Sequence, residues 1–399
     1  MSRGSSADSS VHALLLVALL SVLAVMGISS CGGGGGSGGT TPPLSAVMVN
    51  SLLDDASPPA GTVTLRSALE AAASGQRITF DPTLNGSTIN LIFVGEDHTV
   101  LTGEVMGFDE ANNISYLVGY FDRDYGKSAL FADKDVVIDG SNLPGGITLS
   151  WGGAEAARVL AVSGDLTLVN VAITGGNSVF DVAADVGQHP EDNQVSTLAR
   201  GAGIAVWGTA TLVDCEIYGN HAVGDDTDTS RDGGAYGGGV YADTVVMDNC
   251  IVAGNTVAGA GAAGGGVFSV GGRDTGNNTS VIRHSSVTEN RIAGLFAYGG
   301  GVYSDGGGIG KSNTLALQNT TVARNLVGEL PGQAPPLYGM GYWRGGGVYM
   351  SNGSLTIHGA TIVENEVYGP PRTDDLGKPN LAGGVVATIG NAHAVEDMI

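Results

Sequence analysis

Basic residues, clustered histidines and aromatic residues are all scarce in this sequence, and each shortage limits what the protein can be. Its 17 lysine and arginine residues stand against 39 acidic residues, which gives a formal net charge of −22. Nucleic-acid binding needs a basic surface, so this charge excludes nucleic acid as a partner. The 7 histidines lack the spacing of metal ligands, so no zinc site is indicated. With 6% aromatic residues, we expect a core of small aliphatic layers.

Cysteine is equally rare. Beyond Cys31, only Cys215 and Cys250 occur, and they hold the same position in two consecutive sequence repeats. Two inward-facing cysteines in neighbouring strands are most simply core residues. A disulfide is the alternative in an exported protein, although side-by-side parallel positions strain the dihedral angle that a disulfide requires.

A repeat dominates what the sequence does contain. Each copy opens with glycines and closes with an asparagine, and a period of this length is typical of solenoids, propellers and arrays. The clearest copies are Gly238–Asn255, Gly264–Asn290, Gly299–Asn325 and Gly345–Asn365, with a weaker copy at Gly201–Asn220 and a partial one from Gly383. An earlier copy, Asp165–Asn177, has Gly176 where the later asparagine falls.

Short β-branched runs broken by Gly and Asn predict that each repeat forms two or three strands. One repeat cannot bury its apolar side alone, so the copies must stack around a continuous core. The asparagines are expected to occupy turns, to tolerate the left-handed backbone region, and to hydrogen-bond in a ladder from coil to coil. This predicted ladder consists of Asn220, Asn255, Asn290, Asn325 and Asn365. The glycine runs allow a corner where a Cβ would collide.

The Gly-Gly-Gly-Val-Tyr and Val-x-x-Asn pattern resembles the right-handed parallel β-helix proteins of bacterial surfaces, and is similar to polymorphic outer-membrane protein repeats. The stretch Val63–Ala68 resembles the Cys-Ser-Leu-Arg-Glu-Ala motif that begins many such proteins, with Leu65, Arg66 and Ala68 matching. The resemblance implies an all-β, right-handed, single-stranded parallel β-helix, a pectate-lyase-like solenoid with a short N-terminal capping helix. It covers roughly Leu65 to the end and is weak for activity, because this fold carries lyases, adhesins and passive stalks.

The first 43 residues are typical of export and anchoring. The apolar run Val11–Met26 and the small residues before Cys31 indicate a secretory signal. Residues 1–31 resemble a bacterial lipoprotein leader, with Cys31 as the lipidated first residue of the mature chain. An ordinary cleaved signal is the alternative. Gly32 after the cysteine favours the outer membrane, and Gly32–Pro43 is a flexible tether.

The β-helix domain is predicted to span 44–399, with an N-terminal cap at 44–91. Within the cap, Ala46–Asn50 and Ile78–Phe80 are predicted strands, and Thr64–Ala73 a short helix. An insertion at 93–127 interrupts the repeats; we interpret it as a β-hairpin flap, although its acids and aromatics could also bind a sugar or a cation.

Extra residues enter every repeat at one position, which places them along one edge of the solenoid, often the binding face. They are Val223–Tyr236, Ala258–Ala263, Gly294–Tyr298, Gly328–Trp343 and Tyr368–Leu381, with a shorter second set at Gly271–Asn278 and Gly306–Ser312. In the first of them, Asp225, Asp226, Asp228 and Asp232 can ligate calcium, the one cofactor indicated, although they match neither an EF-hand nor a nonapeptide repeat. A solvated acidic loop is the alternative.

A cluster of Tyr338, Tyr342, Trp343 and Arg344 is expected to be exposed in the longest loop. Its rings suit stacking on a glycan, or they pack the loop onto the coil. The Asn-Thr-Asp, Gly-His-Gly and Arg-Ile-Lys runs of polygalacturonases and the Trp-Ile-Asp-His run of pectate lyases are missing.

We therefore expect a monomeric, lipid-anchored, surface-exposed β-helix that binds a polysaccharide or cell-surface glycan, or acts as a spacer, without catalysis. The alternative is a polysaccharide lyase, or a related enzyme, acting on acidic glycans along the loop edge. Residues 394–399 match Val246–Ile251 and stop before the next asparagine. This predicts that the sequence is a truncated piece of a longer β-helix; cover by a partner is the alternative.

Overall fold

The computed structural model describes residues 44–95, 99–100, 106–109, 114–117, 123–124, 126–179, 199–224, 234–271, 278–294, 296–306, 313–328, 342–351, 353–368 and 384–388. The leader, Cys31 and the tether lie outside these ranges, as do the acidic loop at 225–233 and the residues after 388. The described chain is an all-β parallel β-helix solenoid, as the repeat predicted. No helix in the described ranges is long and apolar enough to cross a membrane.

Four parallel sheets run along the solenoid, and each coil adds one rung to a sheet. Sheet 1 contains Val47–Val49, Arg77–Phe80, Ser128–Ala132, Val136–Asp139, Arg158–Val162, Leu166–Val169, Ile204–Val213, Val240–Asp248, Val267–Ser269, Thr279–Arg283, Val302–Asp305, Asn313–Gln318, Val348–Ser351, Gly353–His358 and Val385–Thr388. Sheet 2 contains Thr88–Leu91, Ile147–Trp151, Val171–Thr174, Glu216–Tyr218, Ile251–Ala253, Ser286–Thr288, Thr321–Ala323 and Thr361–Val363.

The two smaller sheets complete the coil. Sheet 3 contains Asn177–Val179, His221–Val223, Thr256–Ala258, Arg291–Ala293, Leu326–Gly328 and Glu366–Tyr368. Sheet 4 contains Ala199–Arg200, Ala235–Tyr236, Gly261–Ala263, Phe296–Tyr298 and Tyr342–Arg344. A full coil therefore has a strand in four sheets, not two or three strands as expected. The last residues of the predicted insertions form the strands of sheet 4. These strands are short and carry small inward residues such as Ala235 and Ala262, so they lack a strong apolar signal in the sequence.

The buried apolar residues form three clusters, two of which fill the interior while the third, around Tyr241 and Phe268, packs outside sheet 1. The main core fills the space between sheets 1 and 2 with residues such as Ile217, Val252 and Met247. A minor core of alanines and β-branched residues lies between sheets 3 and 4. The glycine corner, formed by the runs Gly237–Gly239, Gly264–Gly266, Gly299–Gly301 and Gly345–Gly347, joins each strand of sheet 4 to sheet 1.

The asparagine ladder lies between sheets 2 and 3, and its members hydrogen-bond from coil to coil. The Asn290 side-chain oxygen accepts from the backbone N–H and the amide Nδ2 of Asn255, at 3.0 and 2.9 Å. Its own Nδ2 donates to Asn325 Oδ1 and to the Val252 carbonyl, both at 3.0 Å. Gly176 donates its N–H to Asn220 Oδ1, so it stands at the ladder position, as the sequence predicted.

The expected left-handed conformation belongs to the residue before each ladder asparagine. Gly254, Glu289, Arg324 and Glu364 have φ of +63°, +60°, +55° and +55°. The asparagines themselves are not left-handed, so this expectation was wrong. The reason is that the preceding residue makes the turn, which directs the asparagine side chain inward, where all five described ladder members can bond to one another.

The N-terminal end is closed by the helix Leu65–Ala71, which buries Leu65, Ala68 and Leu69. Thr64 caps it, since its hydroxyl accepts from the Ser67 N–H while the Ser67 hydroxyl accepts from the Thr64 N–H. A one-turn 3-10 helix, Pro82–Leu84, follows the second strand. The helix has the capping role that the sequence assigned to it.

The insertion contains two antiparallel strand pairs. Thr99–Val100 pairs with Arg123–Asp124, and Met106–Asp109 pairs with Ile114–Leu117. This is the hairpin expected for 93–127. Most of its acidic and aromatic side chains lie outside the described residues.

Candidate functional site

Few of the side chains predicted to bind a ligand fall in the described part of the chain. Asp225, Asp226, Asp228 and Asp232 lie outside it, and so does Tyr338. Tyr342 is described only as backbone of the sheet 4 strand Tyr342–Arg344. Within the described ranges, no group of three or more histidine, cysteine, aspartate or glutamate side chains could hold a metal ion.

Trp343 is buried, contrary to the expectation of an exposed aromatic cluster. Its side chain is 0% exposed and packs in the minor core. Its Nε1 donates to the Gly294 carbonyl oxygen at 2.8 Å. Trp343 pairs with Ala297 of the preceding coil in sheet 4, at a register where the strand faces inward. Trp343 therefore cannot stack on a sugar, whereas its neighbour Arg344 is half-buried at the outward register of Tyr298.

A row of polar residues follows the corner between sheets 1 and 2. This polar corner consists of the left-handed residues Asp214, Asn249, His284 and Asn319, with φ of +54°, +54°, +49° and +49°. Asn, Asp and His are the non-glycine residues that adopt this conformation most readily. Each coil therefore presents one short polar side chain at the same place.

The side chains of the polar corner form two hydrogen-bonded groups along the solenoid axis. Asn249 Nδ2 donates to Asp214 Oδ1 at 2.6 Å. His284 Nδ1 lies 2.9 Å from Asp248 Oδ1, and its Nε2 lies 3.4 Å from Asn319 Nδ2. Since the amide can only donate to Nε2, the ring carries its proton on Nδ1 and donates it to Asp248.

Asp248 is the charged centre of this network. Arg283 Nη2 lies 2.9 Å from Asp248 Oδ2, so the carboxylate has a cationic partner on one oxygen and His284 on the other. Partial burial raises the pKa of Asp248, but the hydrogen bonds and charges of His284 and Arg283 outweigh that effect and lower its pKa overall. The carboxylate is therefore held ionised.

A groove of about 430 Å³ opens at the polar corner. Its walls combine the corner side chains with outward residues of sheet 2, namely Glu216, Ile251, Ser286 and Thr321. Cys215 and Cys250 lie at its base. Both are buried free thiols, so they are core residues and not a disulfide. Burial, and then the hydrogen bond with Cys250, raise the pKa of Cys215, while the same hydrogen bond lowers the pKa of Cys250.

An aromatic column lies outside the glycine corner, beside the predicted loop edge. Its rings are Tyr241, Phe268, Tyr303 and Tyr349, with consecutive centroids 5.4, 4.7 and 5.4 Å apart and interplanar angles of 9–16°. Tyr236 and Tyr298 of sheet 4 pack against it. Tyr241, Phe268 and Tyr349 are only 3%, 7% and 6% exposed, so the column is a packed cluster and not an open stacking surface for a ligand. Burial, and then the charge of Asp305, raise the pKa of Tyr303.

The polar corner and the aromatic column each have a signal in the sequence besides the glycines and asparagines of the repeat. The polar-corner residue stands six positions before each ladder asparagine, and Gly359 holds that place in the next coil with φ +61°. A position limited to Asp, Asn, His and Gly indicates a left-handed turn. The aromatic column follows the Gly-Gly-Val of the repeat by one residue. Within the polar corner, the His284 side chain is 56% exposed.

Comparison with other proteins found no protein-family model, no characterised protein and no solved structure that matches the chain.

Proposed function

We propose that this protein is a lipid-anchored, surface-displayed β-helix that binds a linear glycan along the polar corner without cleaving it. The proposal that the ligand is a glycan rests on the groove, where hydrogen-bonding side chains repeat in register over four coils. Successive coils are about 4.8 Å apart, the spacing of hydrogen-bonded strands. A linear polymer of hydroxylated units lying along the axis therefore meets a similar polar group at each step.

The charges of the groove favour an uncharged or amino-bearing glycan over a uronate polymer. Asp214 and Glu216 line the groove with two carboxylates, while Asp248, which contacts the groove residue His284, is already paired with the Arg283 guanidinium. The whole chain carries a net charge of −22. An anionic polymer would be repelled by this surface, while hydroxyl and ammonium groups find acceptors on it.

A polysaccharide lyase remains the second candidate, because a base and a cation converge at one carboxylate. His284 is oriented through Nδ1 by Asp248, and its Nε2, which accepts from Asn319 Nδ2, carries no proton, so the ring could act as a general base once a substrate replaces Asn319. Arg283 could neutralise a substrate carboxylate only by leaving Asp248. Incubation with uronate polymers, followed by ultraviolet absorbance of the new double bond, separates the two functions: product formation that His284→Gly abolishes supports the lyase.

The binding test uses a glycan array and substitutions that keep the backbone. Asn249→Gly and His284→Gly delete groove side chains at left-handed positions, where glycine is tolerated and Gly359 already occurs. Glu289→Gly and Arg324→Gly are matched controls, because they change left-handed residues at the other corner of sheet 2. We expect the native chain to retain neutral or amino glycans, the groove variants to lose them, and both controls to bind like the native chain.

Equal retention by groove and control variants would contradict binding at the polar corner, and preference for uronate polymers would contradict the charge argument. The anchor is tested separately by Cys31→Ser. Stable anchoring takes more than one acyl chain or a second signal, so losing the lipidated residue should release the protein from the membrane fraction. Retention of Cys31→Ser with the outer membrane would contradict the lipid anchor.

A further inference from the structure

The N-terminal end of the solenoid carries a concentration of exposed apolar side chains. Leu44, Met48, Leu53, Ile92 and Phe93 are 62%, 50%, 58%, 53% and 55% exposed, and Leu52 is 38% exposed. We call these six residues the N-terminal apolar patch. The other large apolar side chains exposed in the described chain are spread over several coils between Val179 and Tyr368. Single exposed apolar residues are ordinary, whereas a group of them indicates an interaction surface.

The patch belongs to the first rungs of two sheets. Met48 lies in Val47–Val49, which begins sheet 1, and Ile92 and Phe93 follow Thr88–Leu91, which begins sheet 2. No described strand of either sheet precedes these rungs. The side chains of the patch therefore belong to the first coil of the solenoid, and Met48, which pairs with Thr79, lies on the outward face of sheet 1.

A buried ion pair fixes part of the patch. The Asp54 carboxylate accepts hydrogen bonds from the backbone N–H groups of Ile92 and Phe93 at 2.7 and 3.0 Å. It also pairs with Arg66 at 2.7 Å, while Arg66 Nη2 donates to the Phe93 carbonyl. Leu53 precedes Asp54, so Leu53, Ile92 and Phe93 are held close together. Their exposure is therefore a fixed presentation of apolar surface.

The sequence indicates which partner this end meets. The patch begins at Leu44, directly after the 12-residue stretch Gly32–Pro43 that follows Cys31 and the apolar run Val11–Met26. Twelve residues span at most about 40 Å even when fully extended, so an acyl chain on Cys31 would keep this end of the solenoid within that distance of a bilayer. Tethering raises the effective concentration of a surface beside its partner, and weak apolar contacts then suffice.

From these observations we propose that the N-terminal apolar patch docks on the uncharged acyl–headgroup boundary of the membrane that holds the anchor. This rests on the lipid anchor proposed above. The patch contains no basic residue, and Arg66 beside it is paired with Asp54. Attraction to anionic headgroups is therefore not the basis of docking. The solenoid would stand on the membrane with the later coils and the polar corner directed away from it.

The test measures quenching of an introduced tryptophan by lipid. The full chain is reconstituted in vesicles of phosphatidylcholine with brominated acyl chains, carrying Phe93→Trp in the patch or Val363→Trp in sheet 2 as the matched control. Val363 is exposed to a similar extent, at 43%. After subtraction of the native emission, we expect brominated lipid to quench the tryptophan at position 93 and to leave that at position 363 unchanged.

Flotation of the vesicles distinguishes failure of docking from failure of the anchor. A chain that floats but shows equal emission from both tryptophans keeps the anchor and overturns docking. A chain that does not float overturns both. Quenching by soluble iodide is compared with and without vesicles. If the tryptophan at position 93 is as well shielded from iodide without lipid as with it, a second copy of the chain covers the patch, and the proposal is again overturned. Leu53→Ser with Ile92→Ser should abolish the quenching at position 93, whereas Val179→Ser with Val363→Ser should preserve it.

Discussion

Gly301 lies directly against the carboxamide of Asn325. A Cβ on Gly301 would stand 2.9 Å from Asn325 Nδ2 and 2.8 Å from the carbonyl oxygen of Gly347 in the next coil. The same contact recurs between Gly239 and Asn255, and between Gly266 and Asn290. The two halves of the repeat signature are therefore one structural unit, in which the last glycine of the corner makes room for the ladder amide.

Gly301→Ala should destabilise the solenoid by about 1–3 kcal/mol, because the new methyl group overlaps a buried amide and a backbone oxygen that cannot move. The free energy of unfolding from chemical denaturation measures the effect. Gly152→Ala is the matched control, since a Cβ there meets only the Leu91 carbonyl oxygen at 4.0 Å. Equal midpoints for both variants would contradict the crowded glycine–asparagine contact.

Asn290→Ala tests the ladder itself. Loss of the amide leaves the Asn255 N–H without its acceptor, removes one of the two acceptors of Asn255 Nδ2, and takes one donor from Asn325 Oδ1. An unsatisfied buried polar group costs about 1–3 kcal/mol, so a fall of at least that size in unfolding free energy is expected. Glu289→Gln is the control: its side chain is 59% exposed and pairs with Arg324 at the surface, where such a pair is worth about 0–1 kcal/mol. Comparable losses for the two variants would exclude a stabilising ladder.

The N-terminal cap depends on the ion pair between Arg66 and Asp54. Their side chains are 12% and 1% exposed, and Arg66 also donates to the Ala129 carbonyl in the first coil. Arg66→Ala should cost about 3–5 kcal/mol locally, because it leaves a buried carboxylate without its charge partner. In a solenoid each coil contacts only its neighbours, so hydrogen exchange should accelerate around 44–95 and 128–132 but not in the later coils.

The control for this prediction is Arg77→Ala. Arg77 pairs with Asp139 at 3.0 Å, and although the Asp139 side chain is only 9% exposed, Arg77 is 52% exposed and Asp139 Oδ1 keeps the hydrogen bond from the Ser141 N–H, so loss of Arg77 should accelerate exchange less than loss of Arg66. If Arg66→Ala accelerates exchange no more than Arg77→Ala does, the cap is held by apolar packing alone.

Repeat periodicity predicts the parts of this fold in which the same type of residue is needed at the same position of every coil. Alternating β-branched residues predicted the strands of sheets 1 and 2, and Leu65, Leu69 and Ala72 predicted the buried face of the helix. Sheet 4 escaped prediction because a two-residue strand such as Ala235–Tyr236 carries no period. The prediction that Trp343 is exposed was wrong because its surroundings are set by the preceding coil, through Gly294 and Ala297, and local sequence does not reveal that contact.

The polar corner could be predicted only in part. Asp214, Asn249, His284 and Asn319 share a demand for left-handed backbone, which a residue-by-residue alignment of the copies exposes. The contact of His284 with Asp248, which in turn pairs with Arg283, depends on how the coils stack. The left-handed turn can therefore be predicted from the sequence, whereas the contacts around Asp248 follow from the tertiary structure.

Asp248 makes stability depend on pH in a defined direction. Partial burial opposes the ionised form, but His284 and Arg283 stabilise it more, so the folded state has a pKa below the unfolded value of about 3.9. The unfolded chain then binds the proton more readily, so this contribution is fully present well above pH 3.9 and is lost as the pH falls through the folded pKa.

Comparing the native chain with Asp248→Asn at several pH values measures this contribution. The difference in free energy of unfolding should be largest near neutral pH and should shrink as the pH falls from about 4 through the folded pKa of Asp248, because the unfolded carboxyl takes up its proton first and the native one only in stronger acid. Glu70→Gln removes one acidic charge from an exposed position on the capping helix and serves as the control for net charge. If the difference between the native chain and Asp248→Asn stays constant with pH, or grows in acid, the Asp248 carboxylate is not held ionised by His284 and Arg283.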